Sequence, residues 1–221
     1  MPDSPARTAI LARIRGALAQ AVPLPAEPDF AAPVHPPLPA EDLAVVFAAS
    51  FRRIGGEFYY CESLAHLAAQ LAGFRARQPA LAPPYVWEPA LQQLLRTAGV
   101  PFRAGEDDFR QQADLGLTSC EALVARTGSV LVSAATASGR RLSIYPDQHL
   151  VLARPGQVVA EIGDALRLVQ GRYGARLPSM VSLTTGPSRT ADIEKTLVLG
   201  AHGPRRLALF LLNDDPAADP A

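Results

Sequence analysis

Cysteine is scarce in this sequence. Cys61 and Cys120 are the only two cysteines among 221 residues. An iron–sulfur cluster is held by a set of cysteine thiolates, and a cysteine-rich zinc site has the same requirement. Two cysteines therefore exclude both kinds of centre within these residues. They also give no disulfide framework.

The sequence also lacks net charge and long apolar runs. Its 21 lysine and arginine residues balance 21 aspartate and glutamate residues, and Lys195 is the only lysine. This balance gives no electrostatic reason to expect nucleic acid as a partner. No apolar stretch is long enough to cross a bilayer and no secretory signal is present. We therefore expect a cytoplasmic protein without a membrane span.

Apolar residues and proline are plentiful. Apolar residues make up 48% of the chain, which is ample for a buried core. Residues 6–19 have one apolar helical stripe, and seven prolines follow between positions 21 and 40. We predict a helical arm with a proline-rich linker at 1–40, able to dock on its own body or on a second copy of the chain. Residues 41–213 are predicted to form one α/β domain, and 214–221 a disordered tail.

Strand and helix signals alternate within residues 41–213. Helices are predicted at 42–53, 63–74, 89–98, 119–125, 159–170 and 191–199. Strands are predicted at 57–61, 85–87, 100–103, 114–118, 128–133, 141–145, 149–153, 180–185 and 206–212. This order predicts a mainly parallel, Rossmann-like open sheet with helices on both faces. The close strands between 128 and 153 add one antiparallel hairpin stretch.

The densest group of polar residues lies between a predicted strand and a predicted helix, at positions 184–194. Ligands collect at the carboxyl ends of strands in parallel sheets, and backbone N–H groups at a helix start favour an anion. We therefore expect a ligand site here, although the same residues could simply cap the helix. The predicted ligand-binding residues are Thr185, Gly186, Ser188, Arg189 and Thr190.

Other residues near this segment have a structural interpretation. Asp192 and Glu194 would lie in the first turns of the predicted helix, where negative charge is favourable. That helix would carry the chain roughly 13 Å away from Ser188, toward the opposite sheet edge. His202, followed by Gly203 and Pro204, is therefore expected to cap the helix end or to contact another subunit.

A second candidate site begins where the strand at 114–118 ends. Glu121 is the candidate catalytic residue, as an acid or nucleophile facing the same cleft, or else a carboxylate that stabilises a helix start. Cys120 is expected to be a small buried residue. Thr127, Gly128 and His149 complete the predicted ligand-binding residues. No metal-binding spacing of histidines is present.

Residues 186–194 and 200–204 together resemble the C-terminal signature of the LUD-domain family, in its lactate-utilization protein C type. Residues 10–15, 116–118 and 125–129 agree with other parts of that family, as do Pro146 and His149. The chain departs from the family at Arg126, where a glutamate is usual, and at Glu121, where an aspartate is common.

The resemblance implies a fold like that of glucosamine-phosphate isomerase, ribose-phosphate isomerase and the coenzyme A transferases. It also implies a role in oxidising L-lactate to pyruvate together with iron–sulfur partner proteins. Because this chain lacks a set of cysteines for a cluster, we expect it to be a non-redox subunit without a cofactor of its own. Two alternatives stay open. One is a stand-alone isomerase or transferase that binds phosphate or coenzyme A at residues 186–190, and the other is a structural or regulatory module.

Overall fold

The computed structural model describes residues 4–19, 26–29, 32, 35–38, 43–106, 109, 113–193 and 196–213, with only the backbone described at 190–193 and 196–199. The chain divides into two compact units, at residues 1–37 and 38–221. The first contains helix α1 (Pro5–Leu18), as predicted, and the Ser4 Oγ atom accepts a hydrogen bond from the Arg7 backbone N–H. The predicted tail at 214–221 and most of the predicted linker lie outside the described residues.

The second unit alternates helices and strands in the described part of the chain. Its α-helices are α2 (Leu43–Arg53), α3 (Leu64–Ala76), α4 (Pro89–Thr97) and α5 (Ile162–Tyr173). Its strands are β1 (Glu57–Cys61), β2 (Leu115–Thr118), β3 (Ala122–Val124), β4 (Ser129–Ser133), β5 (Gln148–Ala153), β6 (Val158–Val159), β7 (Val181–Thr184), β8 (Arg189–Ile193), β9 (Thr196–Leu199) and β10 (Arg206–Leu212).

Four parallel strands form the main sheet, in the order β1-β10-β5-β2. The predicted strands at 85–87 and 100–103 are reduced to single bridges, in which Tyr85 pairs with both Arg103 and Gly116. The second sheet has the order β6-β3-β4-β7, and β4 is antiparallel to both of its neighbours.

The packing of these elements produces layers. Apolar side chains of α3 and α4 cover one face of the main sheet, for example Leu71 and Leu95 against Phe210. The other face is covered by α2 and by the second sheet. Helix α5 packs on the second sheet through Ala165 and Val169. The predicted mixed α/β fold, a parallel sheet flanked by helices, is therefore confirmed, with a second sheet added to one side.

Two predictions between residues 119 and 145 are wrong. Residues 119–125 contain β3 instead of a helix, and the Glu121 backbone N–H donates to the Leu131 carbonyl oxygen at 2.7 Å. A short run that is buried on all sides shows no periodicity, so its sequence does not separate helix from strand. Residues 141–145 form turns instead of a strand, in which Leu142 is buried in an aromatic cluster and Tyr145 is exposed. The hairpin partners of β4 are therefore β3 and β7.

The predicted helix at 191–199 is also absent, and the antiparallel strands β8 and β9 occupy its place. Threonine, isoleucine and valine at positions 190, 193, 196 and 198 favour extended backbone over helix. Asp192 accordingly lies in β8, and Glu194 lies outside the described residues. No helix therefore begins after the Gly186 turn. In addition, β7 belongs to the second sheet and not to the parallel one.

Candidate functional site

An open cleft of about 660 Å³ lies where the end of α2, the end of β7 and the start of β10 meet. It contains four of the predicted ligand residues, and the backbone of a fifth, Thr190, follows directly. The lining residues are Arg53, Ile54, Ser143, Ile144, Ser182, Leu183, Thr184, Thr185, Gly186, Pro187, Ser188, Arg189, His202, Gly203, Pro204 and Leu207.

The cleft is electropositive. Arg53 and Arg189 both line it, and no aspartate or glutamate belongs to its described lining. Neither guanidinium forms an ion pair with a described carboxylate, and one Arg189 N–H donates to the Ile54 carbonyl oxygen at 3.3 Å. Guanidinium groups bind carboxylates and phosphates through charge-assisted hydrogen bonds. The cleft is therefore suited to an anion.

Gly186 has a structural reason to be glycine. Its φ angle is +79°, and a Cβ atom there would come within 2.7 Å of the Ile54 carbonyl oxygen. A side chain would therefore both strain the backbone and push the turn away from the end of α2. The glycine brings the turn close to α2, which places Arg53 and Arg189 in one cleft.

Ser188 and His202 are neighbours. The Ser188 N–H donates to the Pro204 carbonyl oxygen at 2.8 Å, and the Gly200 N–H donates to the Ser188 carbonyl oxygen at 3.2 Å. The His202 N–H lies 3.4 Å from the Ser188 Oγ atom. The prediction that His202 lies toward the opposite sheet edge is wrong, because it depended on the absent helix. His202, Gly203 and Pro204 instead form part of the wall of the cleft.

Thr127 reaches the cleft through a chain of hydroxyl groups. Its Oγ1 atom lies 2.7 Å from the Ser129 Oγ atom, which lies 2.8 Å from the Thr185 Oγ1 atom. Gly128, with φ at +66°, packs against α2, where a Cβ atom would come within 2.5 Å of the Phe51 backbone nitrogen. Thr127 thus connects to the site indirectly, and Gly128 fixes the β3–β4 turn against α2.

Glu121 does not line the cleft, contrary to the prediction. It is only 2% exposed, and its carboxylate accepts hydrogen bonds from Ser133 Oγ at 2.5 Å and Tyr173 OH at 2.7 Å. It also forms an ion pair with Arg172. Burial and the hydrogen bond to Glu121 both raise the pKa of Tyr173. These contacts tie β3 and β4 to α5, and Glu121 faces a separate small cavity beside the cleft.

His149 is likewise buried away from the cleft lining. The Thr118 hydroxyl donates to the Ser119 carbonyl oxygen at 2.7 Å, so it accepts from the His149 Nε2 atom, 2.9 Å away. The Nδ1 atom has no hydrogen-bond partner in the described structure. A charged His149 ring would therefore be buried without a carboxylate to pair with. Burial accordingly lowers the pKa of His149 to about 4.

Arg53, Ser143 and Glu88 were not predicted from the sequence. Glu88 is 8% exposed, and it accepts hydrogen bonds from the Ser119 N–H at 3.0 Å, Ser119 Oγ at 2.5 Å and Ser138 Oγ at 2.6 Å. All three missed residues are distant in sequence from the Gly186 turn, and no local motif marks them. The available signal for Arg53 was its position just before the Gly55-Gly56 break.

Arg126, which replaces the usual glutamate of the family, has a structural partner. It forms an ion pair with Glu161 at 2.6 Å, next to the start of α5. The Arg126 carbonyl oxygen accepts a hydrogen bond from Ser50 at 3.4 Å. The described lining of the cleft does not include this side chain, so the replacement leaves the charge of the cleft wall unchanged.

The described residues contain neither a metal-binding cluster nor a membrane-spanning helix. No three histidine, cysteine, aspartate or glutamate side chains lie close enough together to hold a metal ion there. No helix in the same residues combines the length and apolar character that a membrane crossing requires.

Residues 104–212 match the family model of the LUD domain. The match covers β2 to β10, just under half of the chain, and it confirms the resemblance to the LUD-domain family found in the sequence. A crystal structure of a DUF162 family protein from Deinococcus radiodurans has the same fold. Its TM-score is 0.57 at 20% identity, over 80% of this chain and 99% of that one.

The chain is also similar to proteins named lactate utilization protein C. Lactate utilization protein C 1 of Bacillus mycoides is 32% identical over 121 residues, 54% of this chain and 52% of that protein. The Bacillus velezensis protein is 35% identical over 106 residues, 47% and 44% of the two chains. The Bacillus subtilis protein is 32% identical over 114 residues, 50% and 48%. The matched region thus spans about half the length of these relatives.

Proposed function

We propose that this chain acts in lactate utilization as a non-redox subunit that works with iron–sulfur partner proteins in oxidising L-lactate to pyruvate. The observation that carries the proposal is the LUD domain at 104–212 together with relatives named lactate utilization protein C. The partners, the reaction and the ligand are the parts of the proposal that need an experiment.

The chemistry of the cleft supports a small carboxylate as ligand. Arg53 and Arg189 supply positive charge, and Thr185 and Ser188 supply hydroxyl groups beside them. The volume of about 660 Å³ lies in the usual range of small-molecule sites. A carboxylate accepts hydrogen bonds from both kinds of group. Lactate, as a small 2-hydroxy carboxylate, has this chemistry.

The two cysteines support a role without a redox centre. Cys61 and Cys120 lie in different apolar clusters and both are buried. Burial raises the pKa of Cys61 to about 11 and raises that of Cys120 as well. A cluster ligand must be a thiolate, which a raised pKa disfavours. We therefore place the redox groups in the partner proteins.

Two features that supported the alternative of a stand-alone isomerase or transferase are absent, although Arg53 and Arg189 suit a phosphate as well as a carboxylate. They are a helix start after the Gly186 turn and Glu121 in the same cleft. The strands β8 and β9 replace that helix, and Glu121 is bound to Arg172 and Tyr173. No observation of the described residues now favours it over the subunit role.

Reconstitution with and without the chain tests the proposal. Lactate-dependent reduction of a dye is measured with cysteine-rich iron–sulfur partner proteins, with this chain present or omitted. We expect the rate to fall to background on omission, and the isolated chain to show no turnover. An unchanged rate on omission would overturn the proposed function.

A further inference from the structure

A second, much smaller polar cavity lies directly beside the open cleft. Its free space is about 10 Å³, enough for roughly one water-sized group. Its walls are unusually rich in hydroxyl groups, with one carboxylate. The polar side chains that line it are Thr118, Ser119, Glu121, Ser133, Thr136, Ser138 and Ser143.

Ser143 lines both the cavity and the cleft. It is 8% exposed, and its Oγ atom has no hydrogen-bond partner in the described structure. A buried hydroxyl without a partner is unfavourable, and such groups in native proteins usually have a partner from water or a ligand. Ser143 therefore places a buried hydroxyl without a partner in the wall that the two spaces share.

The position of Ser143 is fixed by its neighbours. Gly116 of β2 lets the turn segment 134–147 lie directly on the strand, because a Cβ atom there would come within 2.8 Å of the Leu142 carbonyl oxygen and the Pro146 Cγ atom. Leu142 is fully buried against Tyr85 and its aromatic neighbours. The Ser143 hydroxyl is thus held at a rigid place in the wall.

We propose that the cleft and the cavity form one site for a 2-hydroxy carboxylate, in which Ser143 recognises the hydroxyl group of the ligand. Arg53 and Arg189 hold the carboxylate in the cleft, and the ligand hydroxyl pairs with the Ser143 Oγ atom at the mouth of the cavity. The ligand class rests on the proposed function. The assignment of Ser143 as the residue that determines specificity rests on its burial, its hydroxyl without a partner and its place in the wall that the two spaces share.

This arrangement predicts discrimination between acids that differ only in the hydroxyl group. L-Lactate would satisfy the Ser143 hydroxyl, whereas propionate carries the same carboxylate and would leave it unpaired. A site built to pair a ligand hydroxyl rejects the analogue that lacks it. Loss of one such hydrogen bond corresponds to about a tenfold change in affinity.

The test compares L-lactate and propionate binding to the full chain by isothermal titration calorimetry. We expect the wild-type chain to bind L-lactate about tenfold more tightly than propionate. Ser143→Ala should bring the ratio close to one without changing propionate affinity. Ser179→Ala is the control, since the exposed Ser179 lines neither the cleft nor the cavity. This control should keep the wild-type ratio.

Several results would overturn the assignment. They are equal binding of the two acids by the wild-type chain, absence of lactate binding, or a wild-type ratio in Ser143→Ala. A clear fall in the melting temperature of Ser143→Ala would also contradict it, because it would show that the hydroxyl already has a partner within the fold. Arg189→Ala should weaken the binding of L-lactate and of propionate to the same extent. The need for the chain in lactate oxidation is measured separately by reconstitution, so the two failures are distinguishable.

Discussion

At the scale of single residues, polar groups in this protein fall into two sets with different tasks. Arg53, Arg189 and Ser188 line an open cleft without described acidic residues, which suits an anion. Glu121 and His149 are buried and are held by neighbouring side chains. The first set is available to a ligand, whereas the second set stabilises the fold.

Replacement of His149 should change how stability depends on pH. The unfolded histidine binds a proton below its ordinary pKa of 6.5, but the folded one does so only near 4. The unfolded state therefore holds more protons between these values, and stability falls as the pH drops from 6.5 toward 4. The loss should approach about 3 kcal/mol. His149→Gln, followed by urea unfolding at several pH values, should flatten this slope.

Exposed His202 offers the control for this measurement. His202→Gln should keep the wild-type dependence on pH. An unchanged slope in His149→Gln would show that His149 does not cause the loss of stability in acid.

Glu121→Gln should lower the free energy of unfolding by about 1–2 kcal/mol, because it leaves Arg172 without its ion pair. The amide oxygen of the glutamine still accepts hydrogen bonds from Ser133 and Tyr173. Glu106→Gln should change the free energy of unfolding by less than about 0.5 kcal/mol. Glu106 pairs with Arg141, and both side chains are about half exposed. Chemical unfolding measures both changes in free energy. Equal effects of the two variants would contradict the structural role of Glu121.

At the scale of elements, the cleft exists because two tight turns pack against α2. The Gly128 turn rests on Phe51, and the Gly186 turn rests on Ile54. These contacts bring the second sheet and the end of α2 together, which places Arg53 and Arg189 in the same cleft. The site is therefore a product of long-range packing and not of one local motif.

Gly128→Ala tests this packing against a matched glycine. Gly99 has the same φ of +66° but open space around it, whereas a Cβ atom at Gly128 meets the α2 backbone. Gly99→Ala should cost about 1 kcal/mol, which is the backbone penalty alone. Gly128→Ala should cost at least about 2 kcal/mol more, since the contact with α2 must open. Equal losses in urea unfolding would show that the turn does not rest on α2.

The same elements show what local sequence could predict. The strand bounds at 57–61 and 206–212 were predicted fully, and the Ser63 cap of α3 was predicted as well. In each case the decisive interactions are local. The strand at 122–124 and the hairpin at 189–199 were missed, because their pairing depends on distant partners or on weak propensities.

The residues of the candidate site also divide into those that local sequence predicts and those that only long-range packing brings together. Thr185, Ser188 and Arg189 were predicted from one polar segment, and they do lie in the cleft. Arg53 and Ser143 come from distant segments, and only the packing of α2 and of residues 134–147 brings them there. Sequence periodicity contains no information on that proximity.

At the scale of the whole molecule, the second unit combines a parallel sheet, a second sheet and a cleft between them and α2. The described cleft lining is cationic, and the two cysteines are buried apart from each other. This combination fits a protein that binds an anionic ligand and leaves electron transfer to others. The central claim is that this chain binds the anionic ligand and that its partner proteins transfer the electrons.

One measurement tests this claim most directly. The rate of lactate-dependent dye reduction is compared in the reconstituted system with the wild-type chain and with the Arg53→Ala/Arg189→Ala variant. Arg167→Ala is the control, since Arg167 is an exposed arginine that pairs with Asp164 on α5. We predict a loss of about tenfold or more for the double variant, because its cleft has lost both guanidinium groups, and no loss for the control. A wild-type rate with a correctly folded double variant would contradict the account.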